Sequence, residues 1–301
     1  MPSRMVSGQE KLQFGAAFRG SARYDLVSWV AENKGYWKEQ GLKVEWIPFK
    51  AGSLMFRTVA AGKLFIGVTS IGSFIQAASR GVKVVIVADL KSPQYFALWV
   101  KGDGPIKNGE DLRGGRIGIS RKGGSSHAYA KMLSRRLGIE KDVRFIGLGA
   151  PRVRVASLKS GAIEAFIQTM NPIANLVASG EVRELISSKE IVPKGYIDYL
   201  MFSEKGFLER KPDTVARALK AVLQSVEYIA NNPSWTKKKI QRDFGFTEKG
   251  AELTMTEMDF TGAGRAISPE AVEATVDFFV KNKIIKRAPP REGLYTNKFV
   301  R

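Results

Sequence analysis

A chain of 301 residues, 44% of them apolar and 26% charged, carries enough hydrocarbon to bury the cores of two domains. Lys and Arg number 48 against 29 Asp and Glu, leaving a formal net charge of +19. A field of that sign favours anionic partners: small acids, nucleic acid or an acidic membrane face. Cysteine is absent, which excludes disulfides, zinc–cysteine sites, iron–sulfur clusters and thiol nucleophiles. The single histidine, His127, excludes a histidine-rich metal centre, and no H-E-x-x-H or D-x-D-x-D-G pattern occurs.

The opening MPSRMVSGQEKLQF lacks the apolar core of a secretory leader, and no apolar run approaches the ~18–20 residues of a membrane span. From there, short β-rich runs alternate with helical patterns. Strands are predicted over 12–18, 42–47, 64–69, 83–89, 95–100, 115–119, 142–147 and 162–168. Helices are predicted over 24–40, 53–61, 71–80, 124–137, 150–160 and 172–179. Such alternation points to mainly parallel α/β sheets with helices on both faces. Beyond residue 204 the pattern turns helical, over 205–210, 212–231, 234–243, 248–258 and 269–282. There Ser268-Pro269-Glu270 marks one start, with serine as cap and proline in the first turn. One internal echo stands out: AGKLFIGVTS (61–70) against SGAIEAFIQT (160–169). Each stretch closes a helix on glycine, runs a short strand and emerges on small polar residues.

The loop GISRKGGSSHAYA (118–130) is one step from a Walker A phosphate loop. That loop needs lysine after its second glycine, and here Gly124 stands in the lysine's place, with Arg121-Lys122 ahead of the glycine. Nucleotide hydrolysis is therefore not expected. The surviving physics is that of an anion site, with glycines that let backbone approach a ligand and serines at a helix start whose N–H groups face outward. Four other strand ends repeat the theme: Arg19, Ser21 and Arg23; Gly52 and Ser53; Thr69 and Ser70; and Gln168, Thr169 and Asn171 with Pro172 behind it. Together with Arg121, Gly124, Ser125 and Ser126 these form the candidate ligand-binding set. It is rich in donors and poor in carboxylates, with Asp25 the nearest acid, which suits a small anion or a polar neutral molecule. Segment 101–160 carries fourteen Lys/Arg against five Asp/Glu, but they are dispersed, and Lys131, Arg135 and Arg136 are expected on a solvated helix face. No recognition helix or basic–aromatic platform accompanies them, so a nucleic-acid partner is not expected. No G-x-S-x-G elbow accompanies His127, which is expected to be structural or ligand-lining.

Residues 29–45, WVAENKGYWKEQGLKVE, resemble the A-x-x-x-G-Y-F-x-x-x-G-L-x-V-E stretch of the solute-binding proteins of ABC importers for sulfonates, taurine, nitrate and thiamine-precursor-like molecules. The likeness continues through Pro48-Phe49, Ala51-Gly52-Ser53, Ala60-Ala61-Gly62 and Gly81 before KVVIVADL. It takes in Asp111-Leu112-Arg113-Gly114 with RIGI, then SLKSGAIEA (157–165) and Leu294-Tyr295-Thr296-Asn297. The resemblance implies a type 2 periplasmic-binding fold: an α/β chain of two lobes, 1–91 with 202–301 and 92–201, with crossings near Leu90–Gln94 and Tyr199–Phe202. It further implies no catalysis and no cofactor, a small organic anion such as a sulfonate or carboxylate closed between the lobes, and a permease with its ATPase as partners. A monomer in the periplasm, its leader removed, is the corresponding expectation. The chain departs from the family pattern at Phe65, where an aspartate is usual, and at Thr169-Met170-Asn171, where an aromatic–acid pair is common. The alternative is an enzyme on the same fold. Relatives include a thiamine-pyrimidine synthase, which relies on a cysteine-rich motif and an active-site histidine, and small enzymes of menaquinone biosynthesis.

Overall fold

A computed structural model describes residues 9–17 and 20–300. Its strands are β1 (Glu10–Ala16), β2 (Leu42–Pro48), β3 (Ile66–Ser70), β4 (Val84–Lys91), β5 (Ala97–Lys101), β6 (Arg116–Ile119), β7 (Arg144–Gly147), β8 (Ala165–Gln168), β9 (Val182–Ser187) and β10 (Tyr199–Glu204). They form two five-stranded sheets, ordered β2-β1-β3-β10-β4 and β7-β6-β8-β5-β9. Both follow one plan. In the first, β1, β2 and β3 pair in parallel and β10 runs antiparallel between β3 and β4; in the second, β6, β7 and β8 pair in parallel and β5 runs antiparallel between β8 and β9. The antiparallel strand of each sheet is the one delivered from the other sheet, β5 after β4 and β10 after β9.

The helices are α1 (Ala22–Asn33), α2 (Tyr36–Glu39), α3 (Gly52–Ala60), α4 (Ile71–Ala78), α5 (Ser125–Arg136), α6 (Pro151–Lys159), α7 (Ala174–Ala178), α8 (Lys205–Arg210), α9 (Pro212–Asn231), α10 (Pro233–Phe244), α11 (Glu248–Thr256) and α12 (Pro269–Lys281). The helix expected over 24–40 is broken by Gly35, whose φ of 77° is left-handed and ends α1. Strand β9, which the sequence pattern did not indicate, forms an outer edge of the second sheet, and β10, which contains Tyr199–Phe202, lies inside the first sheet. The echo finds its place here. An offset of 99 residues lays α3 (Gly52–Ala60) onto α6 (Pro151–Lys159) and β3 onto β8, each strand third in its sheet.

Burial follows the pleat. On the second sheet Leu98, Val100, Ile117, Ile119 and Ile167 face the large core that continues under α5, while Trp99, Phe166, Ile163 and Val182 face a smaller core with Leu158 of α6. Helix α9 buries Val215, Leu219, Val222, Val226 and Ile229 along one stripe and packs on α1. Phe65, at the departure from the family pattern, stacks on Phe207 at 5.3 Å. Among the described residues no helix is long and apolar enough to cross a membrane.

Candidate ligand-binding cleft

In each sheet the parallel strands end at one edge, where the loops leading into α1, α3 and α4, or into α5, α6 and α7, emerge. Binding sites of open α/β sheets lie at such carboxyl edges. The two edges face and touch each other. Arg121, after β6, donates from Nη2 to the Ser53 hydroxyl at the start of α3 (2.5 Å), and Gln76 of α4 donates to the Ser125 hydroxyl at the start of α5 (2.9 Å). Helices α1, α3, α4 and α5 all begin without a side-chain cap, at Ser21, Ala51, Ser70 and Gly124. In the carboxyl-terminal part α8, α11 and α12 are capped by Glu204, Thr247 and Ser268, while α9 and α10 begin without a side-chain cap. Uncapped first-turn N–H groups carry the positive end of the helix dipole and suit an anion.

The candidate residues take distinct positions. Gly52 is needed for close approach: a Cβ there would stand 2.2 Å from the Ser73 hydroxyl and 3.4 Å from that of Thr69. Thr69 is fully buried with its hydroxyl unpartnered, and Ser70 lies 3.4 Å from Ser73 between their hydroxyls. Asn171, at the tip after β8, is 1% exposed and neither atom of its amide has a partner. Buried unpaired polar atoms are costly unless a ligand or water satisfies them, and Thr69 and Asn171 share that state with Ser134, Tyr199 and Thr254 elsewhere in the fold. In 118–130, by contrast, much of the hydrogen-bonding capacity is used internally. Ser120 N–H donates to Ser126, whose hydroxyl also pairs with that of Ser120, and Gly123 N–H donates to His127 Nδ1 at 3.0 Å. His127 thus acts structurally; burial, helped by the charges of Lys131 and Lys122, pushes its imidazolium below the ordinary histidine range. Arg19 lies outside the described residues.

Arg23 has a different occupation from the one its position suggested. It is 2% exposed, and its Nη1 is held at 2.7 Å by Asp198 and also donates to the Ser92 carbonyl. Its plane lies over the rings of Tyr24 and Tyr199. The charge is neutralised where the chain passes between the sheets. Asp198 also accepts from Gln94 N–H, and Lys91 and Ser92 adopt left-handed φ of 62° and 55°. Two such non-glycine residues in succession are strained. They are pinned by Asp89, which takes the Lys91 N–H and ammonium, and by Asp259 and Glu257, whose carbonyls take the Ser92 N–H and hydroxyl. The Glu257 carboxyl sits against this cluster. Burial pushes its pKa up to about 7, Asp198 adding to the shift while Arg23 and the Asn171 and Met170 N–H groups oppose it, and its Oε2 is unpartnered.

Sequence reasoning missed Asp198, Glu257, Gln76 and Arg154. Arg154, on α6, is 3% exposed and donates to the Ile167 carbonyl and to Gln168 Oε1 (2.7 Å). Burial, with no neighbouring charge to oppose it, pulls its pKa down to about 10. The echo carried the signal that would have found it, since the matching position in the first half is apolar. Two surface concavities, lined by Pro233, Lys237 and Met255 and by Val82, Glu204 and Pro289, lie on elements away from the facing edges.

The model of the family described as NMT1/THI5-like matches residues 26–235. The chain belongs to that family. Among curated relatives, a 4-amino-5-hydroxymethyl-2-methylpyrimidine phosphate synthase of Saccharomyces cerevisiae is 23% identical over 70% of the chain and 64% of its own length. The taurine-binding periplasmic protein of Escherichia coli is 28% identical over 67% of the chain and 62% of its own length. The chain thus spans under two thirds of these relatives. Among solved structures, a Candida albicans protein with the generic periplasmic-binding-protein fold superposes with a TM-score of 0.79 at 16% identity, covering 97% of both chains. The alkanesulfonate-binding protein of Xanthomonas axonopodis bound to MOPS superposes at 0.76 and 17% identity, covering 95% of this chain and 96% of that one. The fold of this NMT1/THI5-like protein is accordingly that of the periplasmic binding proteins, with a helical carboxyl-terminal part.

Proposed function

We propose that this NMT1/THI5-like protein is the substrate-binding component of an ABC importer, capturing a small organic anion, a sulfonate or carboxylate, by closure of two lobes. The lobes are 1–91 with 202–301 and 92–201, and the solute lies between the facing carboxyl edges. The observation that carries this reading is the meeting of those edges, joined by Arg121–Ser53 and Gln76–Ser125 and lined by four uncapped helix starts. Catalysis here is replaced by differential affinity of the closed form for the solute, which sets the closed population that a permease and its ATPase would accept. Periplasmic location and a monomeric state belong to the same reading, and sulfonate- and taurine-binding relatives support the ligand class.

Titration calorimetry against ethanesulfonate, taurine, benzoate and nitrate, beside a neutral aminopyrimidine, tests it. Saturable binding of at least one anion is expected; binding of the aminopyrimidine alone would overturn the ligand class. The second reading, an enzyme on this fold, draws on the yeast synthase and on the buried Glu257 carboxyl and Asn171 amide, a pair able to hydrogen-bond a neutral heterocycle. Conversion of that aminopyrimidine by the purified protein would favour it.

A further inference from the structure

The 99-residue offset that superposes α3–β3 on α6–β8 places Arg154 on Met55 and Leu158 on Val59. Met55, Val59 and Leu158 are buried apolar side chains on the sheet-facing side of their helices. Arg154 puts a guanidinium where the fold asks for a hydrocarbon, and it is as buried as its counterparts. Its Nε has no partner, and among the described residues no carboxylate pairs with it. A buried charge of this kind is unfavourable in itself and needs a compensating negative charge from elsewhere.

Its hydrogen bonds say where that charge belongs. A guanidinium has only donors, so the Gln168 side chain must turn its oxygen toward Arg154, and its NH2 group then faces the other way. That group donates to the Thr169 hydroxyl at 3.4 Å. A hydroxyl that accepts one hydrogen bond has its own proton free to donate onward, and Thr169 is part-exposed at the strand tip, two residues before Asn171. Each donor in such a chain polarises the next in the same sense.

We propose that Arg154, Gln168 and Thr169 form a one-way donor relay that seats the acidic group of the guest at the tip of β8, with Arg154 as a positioning residue that supplies the charge without touching the ligand. This rests on the anion-binding reading above and deepens it. The acidic end of the solute is assigned to the second sheet, and Arg23, already neutralised by Asp198, is left out of the site.

The test is calorimetry with ethanesulfonate, or whichever anion of the panel binds the unaltered protein most tightly, on three variants. Arg154→Met copies the residue at the matching position and should fold; its affinity should fall at least tenfold. Arg154→Lys keeps the charge and should recover part of the loss. Gln168→Glu answers Arg154 with a carboxylate, so its thermal unfolding should shift upward while anion binding is lost. Those results together support the relay. If the unaltered protein binds the anion and both Arg154→Met and Gln168→Glu bind it equally well, the relay is wrong and the importer reading stands. If the unaltered protein binds none of the anions, both fall.

Discussion

The α3–β3 unit of the first sheet and the α6–β8 unit of the second share a plan, a register within their sheets and a pattern of burial, yet hold opposite contents. Where one closes on Met55 and an unpartnered Thr69, the other closes on Arg154 and Gln168. Methionine fills that point by volume alone, whereas Arg154 fills it and also donates to the Ile167 carbonyl and Gln168 Oε1. A second contrast runs beside it. Arg23 and Arg154 are equally buried, but Arg23 is neutralised by Asp198 at the crossing between the sheets while Arg154 faces no acid. One guanidinium is held by an ion pair, and the other is held only by the neutral oxygens of Ile167 and Gln168.

The largest expected effect breaks the first of these pairs. Asp198→Ala strands the Arg23 charge in the interior, which should cost about 3–5 kcal/mol and lower the thermal midpoint by roughly 10 °C. Arg154→Met should stay within about 1 kcal/mol of the unaltered protein, because relief of an unneutralised buried charge offsets the two hydrogen bonds lost to Ile167 and Gln168. Equal losses in calorimetric unfolding would erase the contrast. Next comes Gly52, whose added Cβ would strike Ser73. Gly52→Ala should destabilise by about 1–3 kcal/mol in denaturant titration, whereas Pro151→Ala at the matching start of α6 should stay within roughly 0.5 kcal/mol.

Glu257 gives a pH test of the crossing. Its pKa is raised from the ordinary 4.5 to about 7 by burial, so the folded state favours the protonated carboxyl. That contribution is fully present below about pH 4.5 and is lost as pH climbs through about 7. Relative to Glu257→Gln, the unaltered protein should lose on the order of 1–2 kcal/mol between pH 5 and pH 8, with Arg23, Asp198 and Tyr95 the charged or titratable groups around it. Parallel stability curves for the two proteins would refute this. The smallest effect belongs to Arg121→Ala. Loss of its exposed bond to Ser53 should change stability by no more than about 0.5 kcal/mol, while amide exchange at the start of α3 quickens as the edges part more often.

Much of the architecture was legible because its signals are local. Strand–helix alternation, glycine-closed helices and the Ser268-Pro269 start each reflect a backbone constraint acting within a few residues, and the structure follows them. Strand β9 escaped because VRELIS sets two adjacent charges, Arg183 and Glu184, inside a short segment, which breaks both the apolar run that marked the other strands and any strict alternation. The turn at Gly35 escaped because the apolar stripe of α1 continues into α2 across it. The loops at the carboxyl edges were legible from glycines, serines and prolines at strand ends. Asp198 and Glu257 were not, since each is a lone acid whose meaning comes from Arg23, far away in sequence. Arg154, in PRVRVASLK, looked like one more member of a dispersed basic segment; only the echo, carried back onto α3, distinguishes it.

The way β10 is laid into the first sheet makes completion of that sheet depend on a strand that follows the whole second sheet in the chain. It is hydrogen-bonded to β3 on one side and β4 on the other, and among the described residues no ladder joins β3 to β4 directly. Without residues 199–204 the amino-terminal sheet would be left with a slot flanked by two unsatisfied strand borders. The intervening stretch has no such debt, for all five strands of its sheet lie between Ala97 and Ser187. The second sheet is thus continuous in sequence, and the first is closed by a stave borrowed from beyond it.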